Sequence, residues 1–334
     1  MYHINARNVN DALILGVKAL NQIGELVETR NGKALEFPTP VCTTYSHPRE
    51  RVLFEPKRNA NPFFHLMESL WMLGGRNDTK WLEPFNSNMS SYSDDGMVFK
   101  GAYGHRWRNH FGYDQLEIAI NRLSGYKNDR RTVISMWDPK QDLVETNDQK
   151  DIPCNTQIYL NVRNEELHMT VVNRSNDMIW GAYGANVVHM SVLQEYIAAS
   201  LECGVGKYHQ FSNNLHAYLD TLEKVKNLDY TNVDPYLTLN DDGSSYVSPA
   251  LVDDPETFLS DLDDFIENST ERFSYNLFFS QTAIPMRTAW SLYKCNEIDA
   301  AVRKVKTIKD KAWQKACLDW LTRIIIKREQ KHGF

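Results

Sequence analysis

The chain has 334 residues, of which 42% are hydrophobic and 24% charged, with a formal net charge of -6. That length and composition suit one large α/β domain, or a domain with an extension. The acidic balance argues against bulk binding to a nucleic-acid backbone, which requires a basic face, while leaving room for a few arginines to converge on a local anion. Five scattered cysteines (42, 154, 203, 295, 317) form no CxxC pair, so reduced thiols in a cytosol are expected rather than zinc or a disulfide framework. The N-terminus lacks a basic region followed by an apolar one, so no signal peptide is expected, and no apolar run reaches spanning length.

In chain order, Asn8 or Asn10 caps a first helix with Leu13, Val17 and Leu20 at helical spacing. A turn at Arg30-Asn31-Gly32 leads into an extended, proline-interrupted stretch ending at Pro56. NPFFHLMESLWMLGG is expected to be a buried helix, and Glu68 in its middle needs a partner or a task, because a buried carboxylate is costly. SSYSDDG is expected to be a loop, and AYGHRWR leads into a helix from Gln115 to Leu123. Strands are expected over 131–137, 156–162 and 166–172, the last two joined by a hairpin turn at Arg163-Asn164-Glu165. Met190, Leu193, Ile197 and Leu201 then share one face of a helix. Past Tyr218 the character changes: residues 226–252 are loop-like, and from Pro255 the chain carries successive amphipathic helices. The expected layout is an α+β core over 1–225 and a loop plus helical C-terminal region over 226–334, packed on the core.

Cys154 lies in DIPCNTQ, after a proline and at the mouth of a strand. A thiol becomes a nucleophile when its pKa falls from ~8.5, usually beside cationic side chains. A lone strand cysteine is ordinarily buried filler, so its neighbours must decide. Arg30, the pair Arg130-Arg131, and Arg174-Ser175 supply guanidinium forks and a hydroxyl suited to a phosphomonoester, provided the fold brings them together. His65, His168, His189 and His209 are each expected to be structural, and the Lys/Arg residues of the last helices a solvated face.

DIPCNTQIYLNV, VVNRSNDMIWG, Ala185-Asn186 and NNLHAY strongly resemble thymidylate synthases and the related pyrimidine nucleotide hydroxymethylases, with ESLWMLGG, AYGHRWR and DRRTVISMW in the same order. The resemblance runs from about Arg30 to Tyr218. It implies a homodimer built around a mixed β-sheet, with 5,10-methylenetetrahydrofolate as one-carbon donor and a pyrimidine nucleoside monophosphate as substrate. Carried over by position, Cys154 attacks carbon 6 of the base, Glu68 handles protons, and Tyr103 belongs to the network that removes the carbon-5 proton. Arg30, Arg174 and Ser175 hold the phosphate, and Arg130 and Arg131 reach over from the partner subunit. Asn186 contacts the base edge, and His216 with Tyr218 the sugar. Asp177 and Trp71 belong to the folate site.

Three features depart from the synthase pattern. Asn155 stands where the family has a histidine after the cysteine. The tryptophans expected near Ser90 and Ser93 are missing, leaving Tyr92, with Trp81 or a C-terminal aromatic as alternative fillers. The family's C-terminal closing segment has no counterpart in KREQKHGF. In synthases such a tryptophan shields the exocyclic methylene until folate returns a hydride, so its loss points to water addition and a hydroxymethyl product, ahead of thymidylate synthesis. Asn186 favours dUMP, because an amide both donates to and accepts from uracil. The extra residue in WGAYGAN leaves dCMP or CMP open. A different class of function, a silent homologue binding nucleotide or RNA, is disfavoured by the retained Cys154, Glu68, Arg174, Asp177 and Asn186.

Overall fold

The structure is a computed structural model that describes residues 1–334 except 145–148, 229–233, 241, 268–274 and 333–334. Part of the 226–252 segment expected to be loop-like therefore lies outside the described residues. Ten strands form two sheets: β1 (Tyr2–Ala6), β2 (Glu25–Thr29), β3 (Gly32–Glu36), β4 (Val41–Tyr45), β5 (Val133–Ser135), β6 (Asn155–Arg163), β7 (Glu166–Asn173), β8 (Asn176–Asp177), β9 (Gly204–Ser212) and β10 (Leu215–Tyr218). The larger sheet has order β1-β4-β9-β7-β6-β5 and is mixed, with β1–β4 and β7–β9 parallel and the other pairs antiparallel. The smaller sheet has order β2-β3-β10-β8. The mixed-sheet core with flanking helices expected from the sequence is present.

The β6–β7 hairpin forms because Asn164 and Glu165 both adopt left-handed backbone (φ 51° and 57°), the twist that a two-residue turn needs to match right-handed strands. Along β7, Leu167, Met169, Val171 and Asn173 alternate inward. The strand expected over 131–137 is shorter, limited to Val133–Ser135. Strand β9, in the middle of the larger sheet, was not foreseen, because GVGKYHQFS carries two glycines and little β-branching.

Asn8 caps the helix Val9–Ile23, its side chain accepting from the backbone N–H of Asn10 (2.9 Å) and of Asp11 (3.2 Å). Leu13, Val17 and Leu20 are buried as expected. NPFFHLMESLWMLGG contains the helix Pro62–Leu73, with proline in its first turn and Asn61 as cap. The helix Tyr103–Arg108 packs closely on it: a Cβ on Gly104 would meet the Met72 carbonyl oxygen at 1.8 Å. A separate helix, Gln115–Gly125, follows. The segment expected to be a loop at SSYSDDG begins as a short helical turn, Met89–Tyr92.

The helix Asn186–Ser200 is buried on nearly all sides rather than on one face, since it lies between the larger sheet and the helix Pro62–Leu73. Its Gln194 donates to the carbonyls of Leu167 (2.8 Å) and Gly206 (3.1 Å), where the β7–β9 register slips. Glu195 is buried against Arg49 (3.1 Å) and Arg51, tying the 49–51 loop to the helix. The C-terminal helices Ile284–Lys294 and Lys311–His332 both contact the helix Pro62–Leu73. Trp290 and Trp320 lie with ring centroids 5.4 and 5.9 Å from that of Phe63. No helix among the described residues is long and apolar enough to cross a membrane.

Candidate active site

A cleft of about 710 Å³ opens beside the N-terminal end of β6. That volume lies in the range of small-molecule sites. One wall is the helix Pro62–Leu73, whose Phe64, His65, Glu68, Trp71 and Met72 recur at helical spacing and all face the cleft. Tyr103, Asp151, Pro153, Cys154, Trp180, Asn186 and His189 also line it, with the buried aromatics Phe85 and Trp320 and the exposed Tyr92.

Cys154 and Arg174 meet because of the hairpin. Its turn sets Asn155 opposite Asn173, and the Arg174 N–H donates to the Cys154 carbonyl (2.9 Å). A bulge between Asn155 and Gln157 kinks β6 next to the thiol. Arg174 also donates through Nε to the Pro153 carbonyl (2.9 Å) and through Nη2 to the Ile152 carbonyl (3.0 Å), fixing the segment that carries the cysteine. Burial pushes the Cys154 thiol up; Arg174 and Arg30 pull it down, and Asp151 and Asp177 add to the rise. The expectation that cationic neighbours lower this thiol is therefore met only as an opposing influence, since desolvation outweighs them.

Tyr103 is half-buried beside it, its phenol raised by desolvation first and then by the neighbouring Cys154, with the backbone amides of Asn155 and Cys154 pulling the other way. Glu68 faces His189, Oε2 to Nε2 2.9 Å. Trp71 lines the cleft and anchors its indole N–H on the Asp78 carbonyl (3.1 Å). Asn186 donates to Asn176 Oδ1 (3.1 Å) and faces the cleft. The segment before it, Met178–Ala185, is π-helical and kinked at Tyr183 and Gly184. Gly184 has φ -146° and ψ -111°, and a Cβ there would meet the Ile179 carbonyl oxygen at 3.1 Å and Arg58 Nη2 at 3.2 Å.

The smaller sheet gathers a second set. Arg30 is at the exposed tip of the β2–β3 hairpin, His216 pairs in register with Asp177, and the Tyr218 hydroxyl accepts from Asn31 (3.3 Å). His216 Nδ1 lies 2.7 Å from Asn214 Oδ1, which also accepts from the Ser175 hydroxyl at 3.4 Å. Asp177 caps the π-helical segment by accepting from the N–H groups of Ile179 (2.7 Å) and Trp180 (2.9 Å). Burial raises its carboxyl, against the pull of those amides, His216 and Arg58. His216 is lowered by burial, against Asp177 and Glu36.

Not every sequence candidate reaches the cleft. Asn155 is fully buried, is absent from the lining, and has neither amide atom hydrogen-bonded among the described residues, because alternation along β6 turns it away from the side occupied by Cys154. Arg130 and Arg131 are exposed in the loop before β5, with Arg131 beside Asp129 (3.3 Å) and neither lining the cleft of its own chain. The Ser90–Ser93 segment brings Tyr92 to the cleft but no tryptophan, and the Ser93 hydroxyl turns to Asp95 and the Val98 carbonyl. Trp81 packs at a tilt against Phe85 and bonds the Ile266 carbonyl outside the cleft, whereas Trp320 from the last helix lines it.

Several site residues carried no signal in the sequence. Arg58 is buried, donates to the Ile179 carbonyl (2.6 Å) and lies 4.1 Å over the Trp180 ring. Burial lowers it to about 10, with Asp177 opposing. His65 and His189, expected to be structural, both line the cleft.

The comparisons agree with this geometry. The thymidylate synthase family model matches residues 44–254. A deoxyuridylate hydroxymethyltransferase of Pseudomonas phage M6 is 43% identical over 331 residues, covering 96% of this chain and 93% of that protein. A deoxyuridylate hydroxymethyltransferase of Bacillus phage SP01 is 39% identical over 59% of this chain and 54% of its own length. A thymidylate synthase of Symbiobacterium thermophilum is 28% identical over 48% of this chain and 60% of its own. With its cysteine-bearing hairpin, its mixed sheet and a family match over most of its length, the chain belongs to the thymidylate synthase family.

Proposed function

We propose that the protein transfers a one-carbon unit from 5,10-methylenetetrahydrofolate to carbon 5 of dUMP and releases 5-hydroxymethyl-dUMP, with Cys154 as covalent nucleophile. The observation that carries it is the near full-length similarity to a phage protein named deoxyuridylate hydroxymethyltransferase. The named phage relatives further suggest a role in an infected host's cytoplasm, supplying a modified nucleotide for DNA.

The Cys154 thiolate adds to carbon 6, and the electrons of the carbon 5–carbon 6 double bond move onto carbon 5 and its carbonyl. Arg174 and Arg30 favour the thiolate, and Asn186, already oriented by Asn176, meets the uracil edge with a donor and an acceptor. Arg174, Ser175 and Arg30 form the phosphate cradle, completed by Arg130 and Arg131 from the partner of a homodimer. His216 and Tyr218 bind the sugar.

The aromatic lining of Trp71, Phe85, Trp180 and Trp320 suits a flat pteridine and its benzoyl ring, and Asp177 offers a carboxylate to the pterin. When bound, the folate supplies carbon at the oxidation level of formaldehyde. With the one-carbon unit on carbon 5, Tyr103 would take the carbon-5 proton, leaving an exocyclic methylene on the nucleotide. Water addition there, followed by departure of the Cys154 thiolate, gives the hydroxymethyl product.

Incubation with dUMP and methylenetetrahydrofolate should give a nucleotide 30 mass units heavier than dUMP, the increment of CH₂O in the proposed chemistry. No dihydrofolate absorbance should accompany it. Stoichiometric dihydrofolate with dTMP would instead favour thymidylate synthase, a second reading to which Trp320 in the cleft lining lends an aromatic that could shield the methylene. Cys154→Ala should abolish tritium release from carbon-5-labelled dUMP.

A further inference from the structure

One helix face presents Asn186 and, three residues on, His189; the facing helix presents His65 and, three residues on, Glu68. All four side chains line the same cleft. The His189 side chain is only 3% exposed, and its Nε2 lies 2.9 Å from Glu68 Oε2. The contact is off the line of a ring N–H bond, so neither His189 nitrogen has a hydrogen-bond partner among the described residues. A histidine kept for packing would satisfy its ring nitrogens; an orphaned pair in a polar cleft calls for water or a reacting group. Of the charged and titratable groups, Glu68 lies against it, and His65 feels the charge of both His189 and Arg58. Burial, Arg58 and His189 hold His65 well below the usual histidine range, which makes it a poor proton acceptor and leaves that task to the Glu68–His189 pair.

We propose that His189 is a catalytic residue of the hydration step: with Glu68 it binds the water that adds to the exocyclic methylene and takes its proton. This rests on the hydroxymethylase function proposed above. The water oxygen forms a bond to the methylene carbon, and the methylene double-bond pair moves onto carbon 5 and the carbonyl. The water proton passes to the Glu68–His189 pair, and the returning electron pair expels the Cys154 thiolate from carbon 6. No oxidant or reductant is consumed. An imidazole beside a carboxylate suits this role, because the carboxylate stabilises the imidazolium formed as the proton arrives.

The test compares wild type, His189→Gln and His189→Asn in two readouts: tritium release from carbon-5-labelled dUMP, which precedes hydration, and hydroxymethyl product. Wild type should give the two in equal amounts. In both variants label release should stay near wild type while hydroxymethyl product falls by about 10²-fold, the lower end for a general base. Added 2-mercaptoethanol should then capture the stranded methylene as a thioether, since a thiolate needs no base. Equal release and product in the variants would overturn the assignment. So would parallel loss of both, since His189 would then serve an earlier step or the fold. A wild type that makes dTMP refutes the hydroxymethylase function itself, and that result is read without any variant.

Discussion

Arg106 offers a quantitative test of what holds the cleft wall. It is completely buried, and its Nε donates to the Lys100 carbonyl (2.7 Å) and Nη1 to the Met136 carbonyl (3.2 Å). The fork closes on Asp142 through Nη1 (3.1 Å) and Nη2 (2.9 Å). Asp142 Oδ2 also accepts from the Asp138 N–H (2.8 Å). The arginine thus pins Lys100, immediately before Gly101, Ala102 and Tyr103 in the cleft lining, to the strand edge at Met136. Asp142→Ala leaves a guanidinium uncompensated in the interior, which costs about 3–5 kcal/mol. For a chain of 334 residues that lowers Tm by roughly 4–7 °C. Arg106→Met strands the carboxylate and two carbonyls and should cost about as much. The double variant Arg106→Met/Asp142→Leu removes both charges and leaves two carbonyls short of donors and the Asp138 N–H short of its acceptor. It should cost about 2–4 kcal/mol, far less than the two singles together. Thermal and urea unfolding of the four proteins measure this cycle. Additive losses, or an Asp142→Ala variant within 1 kcal/mol of wild type by the ~1 kcal/mol scale of an ordinary substitution, would refute the buried-pair account.

Two further outcomes follow from the site. Because burial holds the Cys154 thiol up, its alkylation by iodoacetamide should keep accelerating with pH to above about 9.0, and Arg174→Gln should slow it further at any given pH. A reactivity plateau at or below neutral pH would show a preformed thiolate and contradict this. Trp320→Ala removes a cleft-lining aromatic packed on Trp290 (5.7 Å) and Tyr293 (5.3 Å) and should destabilise by about 3–5 kcal/mol. The gentler Trp320→Phe should raise the KM for folate while leaving that for dUMP unchanged, and an unchanged folate KM would remove Trp320 from the cofactor wall.

The sequence by itself determined what local chemistry can encode. A cap at Asn8, a first-turn proline at 62 and apolar residues at helical spacing set the early helices, and strand-forming runs on either side of Asn164-Glu165 set the hairpin that brings Arg174 beside Cys154. The ordered motifs identify the family, and several of them supply residues to the cleft. Four properties depended on the folded structure, three of them because they join segments distant in the chain. The thiol rises because burial outweighs its arginines, a balance set by packing rather than spacing. Asn155 faces the interior because the strand alternates there. The last helix lends Trp320 to a cleft built more than a hundred residues earlier. Finally, His189, indistinguishable in sequence from a core histidine, meets Glu68 only because two helices pack face to face, with both ring nitrogens buried and without a hydrogen-bond partner among the described residues.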